Sequence, residues 1–196
     1  MTDSPLHRFT DPPLHRSPDP PTHRPPASPK KHPPVLLLGA DENESLPVLA
    51  SLHRQGIPIT AAAPRRISMG LFSRYPRHRL ICPDPNEHPE AFVDWVEQTV
   101  RDGDYPVTMV CGETATWLLA SALERLSPYT KIPIVDESHF FVCRDKSKTM
   151  QAAERLGIPI PKTYYPDDVG IEAVAQTIPA YPVVLKPCIS NGARGI

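Results

Sequence analysis

Pro34-Val-Leu-Leu-Leu-Gly-Ala-Asp-Glu-Asn-Glu-Ser-Leu-Pro-Val-Leu-Ala-Ser-Leu-His-Arg-Gln-Gly-Ile-Pro-Ile-Thr-Ala61 is the stretch that decides the fold. Val35–Leu38 is a continuous apolar run closed by Gly39, the pattern of a parallel strand covered on both faces. Asp41-Glu-Asn-Glu-Ser45 is a polar loop rich in helix-starting residues. Leu46, Val48, Leu49 and Leu52 then form a helical stripe that Gly56 ends, and Ile57–Ala61 supplies a second strand. This is a βαβ unit of a little under 30 residues, which predicts an open α/β sheet.

The alternation continues. Leu80–Cys82 reads as a strand stopped by Pro83-Asp-Pro85, and Phe92, Val93, Val96 and Val100 mark a helix. Asp102-Gly-Asp104 turns the chain into strand Val107–Cys111. Ala115, Leu118, Leu119, Ala122, Leu123 and Leu126 predict one further helix, and Ile132–Val135 another short strand. Residues 34–142 are therefore expected to form a doubly wound, Rossmann-like domain with a parallel sheet. A second, α+β unit is expected over 143–196. Met150, Ala153 and Leu156 share a helix face that ends at Gly157. Thr163–Tyr165 is expected as a strand, Ile171, Val174, Ala175 and Ile178 as the inward face of a helix, and Val183–Lys186 as a last strand.

Residues 1–33 differ in kind. Pro5-Leu-His-Arg8, Pro13-Leu-His-Arg16 and Pro21-Thr-His-Arg24 recur every eight residues. The repeat is too short and polar to bury a core, and its prolines remove backbone donors, so a disordered tail with polyproline II character is expected. His7, His15 and His23 could chelate a metal, or the His-Arg pairs meet an acidic partner; a solvated extension without function is the plainer reading. The tail lacks the apolar segment of a secretory signal, and no apolar run approaches the ~20 residues of a membrane span. A formal net charge of −1 gives no overall pull toward nucleic acid or anionic membrane. Cys82, Cys111, Cys143 and Cys188 form no C-x-x-C pair, so zinc and redox motifs are disfavoured and reduced thiols in a cytoplasmic protein are expected.

The chemistry-bearing residues emerge by elimination. Gly39-Ala-Asp-Glu-Asn43 is not G-x-G-x-x-G, and the sequence has no Walker A loop, H-E-x-x-H or G-x-S-x-G. What remains is Asp145-Lys146 opening a helix, Lys186 ending a strand forty positions later, and Ser190-Asn-Gly-Ala-Arg-Gly195 behind it. A polyphosphate needs point cations, here lysines, and amide donors that approach closely, here beside Gly192 and Gly195. Singly, Lys146 reads as a surface residue, Lys186 as a snorkelling strand end and Asn191-Gly192 as a hairpin turn. Glu113-Thr114 follows a strand, where open sheets bind ligands; Thr114 as a helix N-cap is the alternative.

Four segments in order give a more specific result: Val35–Ala40, Ser73–Pro85 with its Pro-Asp-Pro ending, Arg144–Met150 followed by Leu156–Thr163, and Tyr181–Pro187 with the Ser/Gly loop. From Pro34 to Ile196 the chain resembles the ATP-grasp superfamily, in particular its carboxylate–amine ligases and carbamoyl-phosphate-synthase-like members. The resemblance implies a Rossmann-like pre-ATP-grasp domain followed by the start of a two-part clamp for Mg-ATP. It implies cofactor-binding roles for Lys146, Lys186 and the loop Ser190, Asn191, Gly192, Ala193, Arg194 and Gly195. Arg194 departs from the small residue often found there, and either a phosphate contact or a stiffer flap follows.

The implied activity is ATP-dependent joining of a small carboxylate to an amine through an acylphosphate, with Mg²⁺ neutralising the transferring phosphoryl group. In the family the metal carboxylates, adenine-hinge residues and a substrate arginine lie further on, so no catalytic residue and no metal ligand is assigned here. The chain is accordingly expected to be a piece of a longer enzyme and inactive alone. The alternatives are a non-catalytic small-ligand-binding or dimerisation module, or a degenerate gene fragment; the oligomeric state is open.

Overall fold

The computed structural model describes residues 32–166 and 170–189; the octapeptide tail and Ser190–Gly195 lie outside them. The described residues belong to one compact unit, Lys31–Ile196. Its centre is a four-stranded, all-parallel sheet in the order β3-β2-β1-β4. The elements are β1 (Val35–Leu38), α1 (Ser45–Arg54), β2 (Ile59–Ala63), α2 (Met69–Phe72), β3 (His78–Ile81), α3 (Pro89–Asp102), β4 (Val107–Val110), α4 (Glu113–Ser121), α5 (Leu123–Leu126), α6 (Glu137–Arg144), α7 (Lys146–Arg155) and α8 (Ile171–Thr177). No helix among the described residues is long and apolar enough to cross a membrane.

The unbroken Val-Leu-Leu-Leu run is explained by β1's central position, where every residue is buried. Successive side chains alternate between faces. Leu36 and Leu38 join Phe92, Val96, Val100, Leu119 and Leu126 beneath α3, α4 and α5. Leu37 faces the other way, with Leu49, Ile59, Ala61 and Leu71 beneath α1 and α2. Strand β2 is alanine-rich at its end, Ala61–Ala63, and all five of its residues are buried; small side chains let the covering helices approach the sheet closely.

Several boundaries depart from the sequence reading for physical reasons. Strand β2 begins at Ile59 rather than Ile57. The Ile57 amide is spent on the end of α1, donating to the Leu52 carbonyl at 3.1 Å, and Gly56 takes φ +72° there. Pro58 has no amide to give. The single helix expected over 115–126 is broken at Ala122 into α4 and α5. The Ser121 hydroxyl sits at the break, between the Trp117 carbonyl (3.2 Å) and the Glu137 carboxylate (2.6 Å), and such back-bonding bends helices. The strand expected at Ile132–Val135 does not form; a single bridge, Val107 to Lys131, lies just before it. Pro133 interrupts it, and the Ile134 amide curls back to Ile132 at 2.8 Å. Helices α2 and α6 were not anticipated.

Beyond residue 142 the expected helices form, as α7 and α8, but the expected strands do not. Thr163–Tyr165 and Val183–Lys186 pair with nothing among the described residues. Val184 and Leu185 are 71% and 67% exposed, since an extended run without a neighbouring strand has no ladder to join. Helix α8 buries none of its residues; Ile171 and Ala175 face solvent rather than a core.

Gly39 closes β1 with φ +73°, and a Cβ there would lie 2.2 Å from the Cys111 carbonyl oxygen. Gly39→Ala is therefore expected to cost about 2 kcal/mol or more, from a left-handed backbone plus a collision. Gly56→Ala, where φ is +72° but nothing lies within 4 Å, is expected to cost about 1 kcal/mol from the backbone alone. Urea unfolding of the two variants measures the difference.

Candidate functional site

In the order β3-β2-β1-β4 the chain reverses direction across the sheet between β1 and β4, which is where open α/β sheets leave a crevice beyond their strand ends. A crevice of about 200 Å³ lies there. It is lined from the loop after β1 (Gly39, Asp41, Glu42), from Cys82 and Asp84 after β3, and from Cys111, Glu113 and Thr114 after β4.

The lining is tied together. The Asp84 carboxylate accepts from the Asn86 amide at 2.9 Å, and the Thr114 hydroxyl donates to the Asn86 side-chain oxygen at 2.8 Å. Thr114 is thus no N-cap: Gly112 holds that position, and Thr114 spends its hydroxyl across the crevice. Glu113 forms an ion pair with Arg144 at the end of α6. Burial, then the neighbouring Glu44 and Asp41 charges, push the Glu42 carboxyl above its usual range. The crevice is therefore acidic, with one of its carboxylates already matched by an arginine.

Helix α6 docks on α4 beside this crevice. The Trp117 indole donates to Glu137 at 3.1 Å, Trp117 packs edge-on to Phe141 at 6.2 Å, and the bonds from Ser121 and Trp117 hold the Glu137 carboxyl below its usual range. One residue past Arg144, Asp145 caps α7, accepting from the Ser147 hydroxyl at 2.7 Å and from the Ser147 and Lys148 amides at 2.9 and 3.3 Å. The same bonds, Ser147 first, hold its carboxyl below the usual range. The Thr149 hydroxyl, 2.8 Å from the Val142 carbonyl, locks α7 to α6.

Of the residues singled out for phosphate binding, Lys146 opens α7 and Lys186 lies in the exposed segment before Pro187. The start of α7 is tied to the segment just after Lys186: the Lys146 amide donates to the Cys188 carbonyl at 2.8 Å. The amides of residues 146, 147 and 148 are thereby all engaged, so any anion at this helix start must be met by lysine side chains rather than by the helix's own donors. Ser190, Asn191, Gly192, Ala193, Arg194 and Gly195 lie outside the described residues. Among the described residues no three His, Cys, Asp or Glu side chains gather as a metal site, and no magnesium ligand is assigned. The sequence reading named Glu113 and Thr114 but missed Gly39, Asp41, Glu42, Asp84 and Asn86; their common signal is position, each falling just after a parallel strand.

The sequence matches no protein-family model and no curated protein. Solved structures do share the fold. An L-amino acid ligase from Bacillus licheniformis superposes with a TM-score of 0.52 at 21% identity, over 70% of this chain and 36% of that one. N5-carboxyaminoimidazole synthetase from Staphylococcus aureus, complexed with ADP, gives 0.55 at 15% identity, over 83% of this chain and 41% of that one. The biotin carboxylase domain of a single-chain bacterial carboxylase gives 0.51 at 16% identity, over 73% and 33%. These are ATP-grasp ligases, and the chain has part of their fold: mixed α/β with a four-stranded parallel sheet. It spans between a third and two-fifths of their lengths.

Two thiols line the crevice. Burial first, then the Asp41 charge, pushes Cys82 up to about 12; burial first, then Glu44 and Glu42, pushes Cys111 up to about 11. Thiolate is the reactive form. A maleimide at neutral pH is therefore expected to label the exposed Cys143 and Cys188 rapidly, and Cys82 and Cys111 only after denaturation. Peptide mapping of the native and denatured adducts checks this.

Proposed function

We propose that this chain supplies the Rossmann-like domain and the opening of the nucleotide clamp of an ATP-dependent ligase that joins a small carboxylate to an amine through an acylphosphate. The shared fold supports an ATP-grasp, ligase-like origin, and one of the similar structures carries ADP. The observation that carries the reading is the 2.8 Å bond from the Lys146 amide to the Cys188 carbonyl. It ties the start of α7 to the segment that holds Lys186, so two cations forty positions apart in sequence belong to one locality.

In this reading the side chains of Lys146 and Lys186 meet the nucleotide phosphates, and Ser190–Gly195 close over them. ATP supplies the phosphoryl group that activates the carboxylate, and magnesium would be held by residues not assigned in this chain. The crevice after β1 and β4 takes a small substrate; its uncompensated carboxylates suit the amine better than the acid. A cytoplasmic setting belongs to the same reading. The crevice is complete within the parallel-sheet part of the chain, which favours a small-ligand-binding module as the second reading.

Titration of ATP into the chain by calorimetry tests the assignment. Lys186→Ala and Lys146→Ala are each expected to weaken binding roughly tenfold or more, the loss of one charge-assisted contact. Unchanged affinity in both variants would overturn the nucleotide reading. Binding of an amine-bearing ligand without ATP affinity in the unmodified chain would favour the second reading.

A further inference from the structure

The turn after β2 carries a surface that the nucleotide reading leaves unused. Three of its apolar side chains stand in solvent: Ile67 is 83% exposed, Phe72 73% and Met69 48%. The turn itself is firmly built. The Gly70 amide donates to the Ala40 carbonyl at 2.8 Å, and a Cβ at Gly70 would lie 2.3 Å from that oxygen. Leu71 is buried in the core, and the Ser73 hydroxyl donates to the Gly70 carbonyl at 2.8 Å. The exposed side chains are therefore held out on a fixed backbone, which leaves little ordering to be done when they meet a partner.

Arginine flanks them on both sides. Arg65 and Arg66 directly precede Ile67, and Arg74 stands two residues past Phe72. Arg79 reaches the same place from β3. Its guanidinium donates at 2.6 and 2.9 Å to the carbonyls of Leu71 and Ser73, the residues before and after Phe72. All four arginines are exposed, and none takes part in an ion pair among the described residues. From Ser45 to Pro83 the sequence has no Asp or Glu. Asp41 and Glu42, which follow Ala40, line the crevice instead. Glu42 turns its carboxylate to Gly112, where a Cβ would lie 2.7 Å from Oε1.

This make-up selects the occupant. Unmatched positive charge repels a second copy of the same face and calls for an anionic surface. Three apolar side chains fall well short of the ~1,600 Å² that a standard protein interface buries. A side chain that stands mostly clear of its own protein needs a shaped pocket in a protein partner, whereas a fluid bilayer closes round it. An apolar wedge beside basic residues is also the pair of signals that attaches a protein to a membrane surface. The formal net charge of −1 averages this patch with acids elsewhere in the chain.

We propose that this turn docks the chain peripherally on an anionic phospholipid bilayer. Ile67, Met69 and Phe72 enter the interface, Arg65, Arg66 and Arg74 meet the headgroup phosphates, and Arg79 adds its charge beside Phe72. Attachment is reversible and needs both parts, since each alone is weak.

Co-sedimentation of the full chain with vesicles of phosphatidylcholine containing roughly a third phosphatidylserine, against vesicles of phosphatidylcholine alone, tests the proposal. The chain is expected to pellet with the anionic vesicles only, and less as salt rises. Phe72→Ser and Arg65→Gln/Arg66→Gln are each expected to weaken partitioning roughly tenfold. Arg54→Gln/Arg77→Gln removes the same charge at the other end of the sheet: Arg54 ends α1, and the Arg77 amide donates to the Ile59 carbonyl where β2 begins. That pair is expected to change partitioning by less than about twofold. Circular dichroism melting checks that the variants fold; should an arginine pair misfold, Phe72→Ser decides. No pelleting with anionic vesicles at low salt, equal pelleting with neutral ones, indifference to Phe72→Ser, or an equal loss from the two arginine pairs would overturn the proposal. Retention on a polyglutamate resin without vesicle binding would assign the arginines to an acidic protein and overturn it likewise. ATP affinity is read separately by calorimetry, so failure of one reading leaves the other standing.

Discussion

The structure hangs on the central position of β1. Val35–Leu38 pair in parallel register with β2 on one side and β4 on the other, Leu36 meeting Thr60 and Thr108 across the two ladders. Both faces are covered, so this strand alone contributes three buried leucines to two separate cores. At roughly 25 cal/mol per Å² of apolar surface, a fully buried leucine is worth about 2 kcal/mol, and no other strand combines as much apolar bulk. The register also fixes where the strands end. Gly39 passes against the Cys111 carbonyl because β1 and β4 stop together, and that close passage makes the crevice.

How much of this was legible in the sequence depended on whether the deciding force was local. The apolar run of β1, the stripe of α1 and the glycine ends of α1 and α7 were readable because periodicity and left-handed backbone are written in consecutive residues. Pairing is not. Gly56-Ile-Pro-Ile59 and Gly157-Ile-Pro-Ile160 are the same local sequence and end their helices alike: Ile57 donates to Leu52 at 3.1 Å, and Ile158 to Ala153 at 2.9 Å. The first leads into β2 because β1 lies beside it. The second leads into no strand, having no partner among the described residues.

The candidate site divides along the same line. A lysine opening a helix behind an aspartate and a lysine before a small, glycine-bearing loop signal themselves, and Lys146 and Lys186 were legible as types. The bond from the Lys146 amide to the Cys188 carbonyl was not, because it is a backbone contact between distant segments. The crevice was half legible: Glu113 and Thr114 follow an obvious strand, whereas Asp41, Glu42 and Asp84 become neighbours only once the strand order is known. Net charge concealed the segregation around α2, since a total of −1 sums a run of arginines with the acids elsewhere.

One feature links the two halves of the chain mechanically. Glu113 lines the crevice and is also the partner of Arg144. Arg144 ends α6, and Lys146 begins α7 two residues later, with Asp145 and Thr149 holding the two helices in fixed relation. The path from crevice to lysine is therefore one ion pair and a rigid corner, with no slack loop between. A group that competed for the Glu113 carboxylate would take the partner from Arg144, while Glu137 still holds α6 to Trp117 and Ser121 of α4. The crevice and the corner before α7 thus share one carboxylate as a common anchor point.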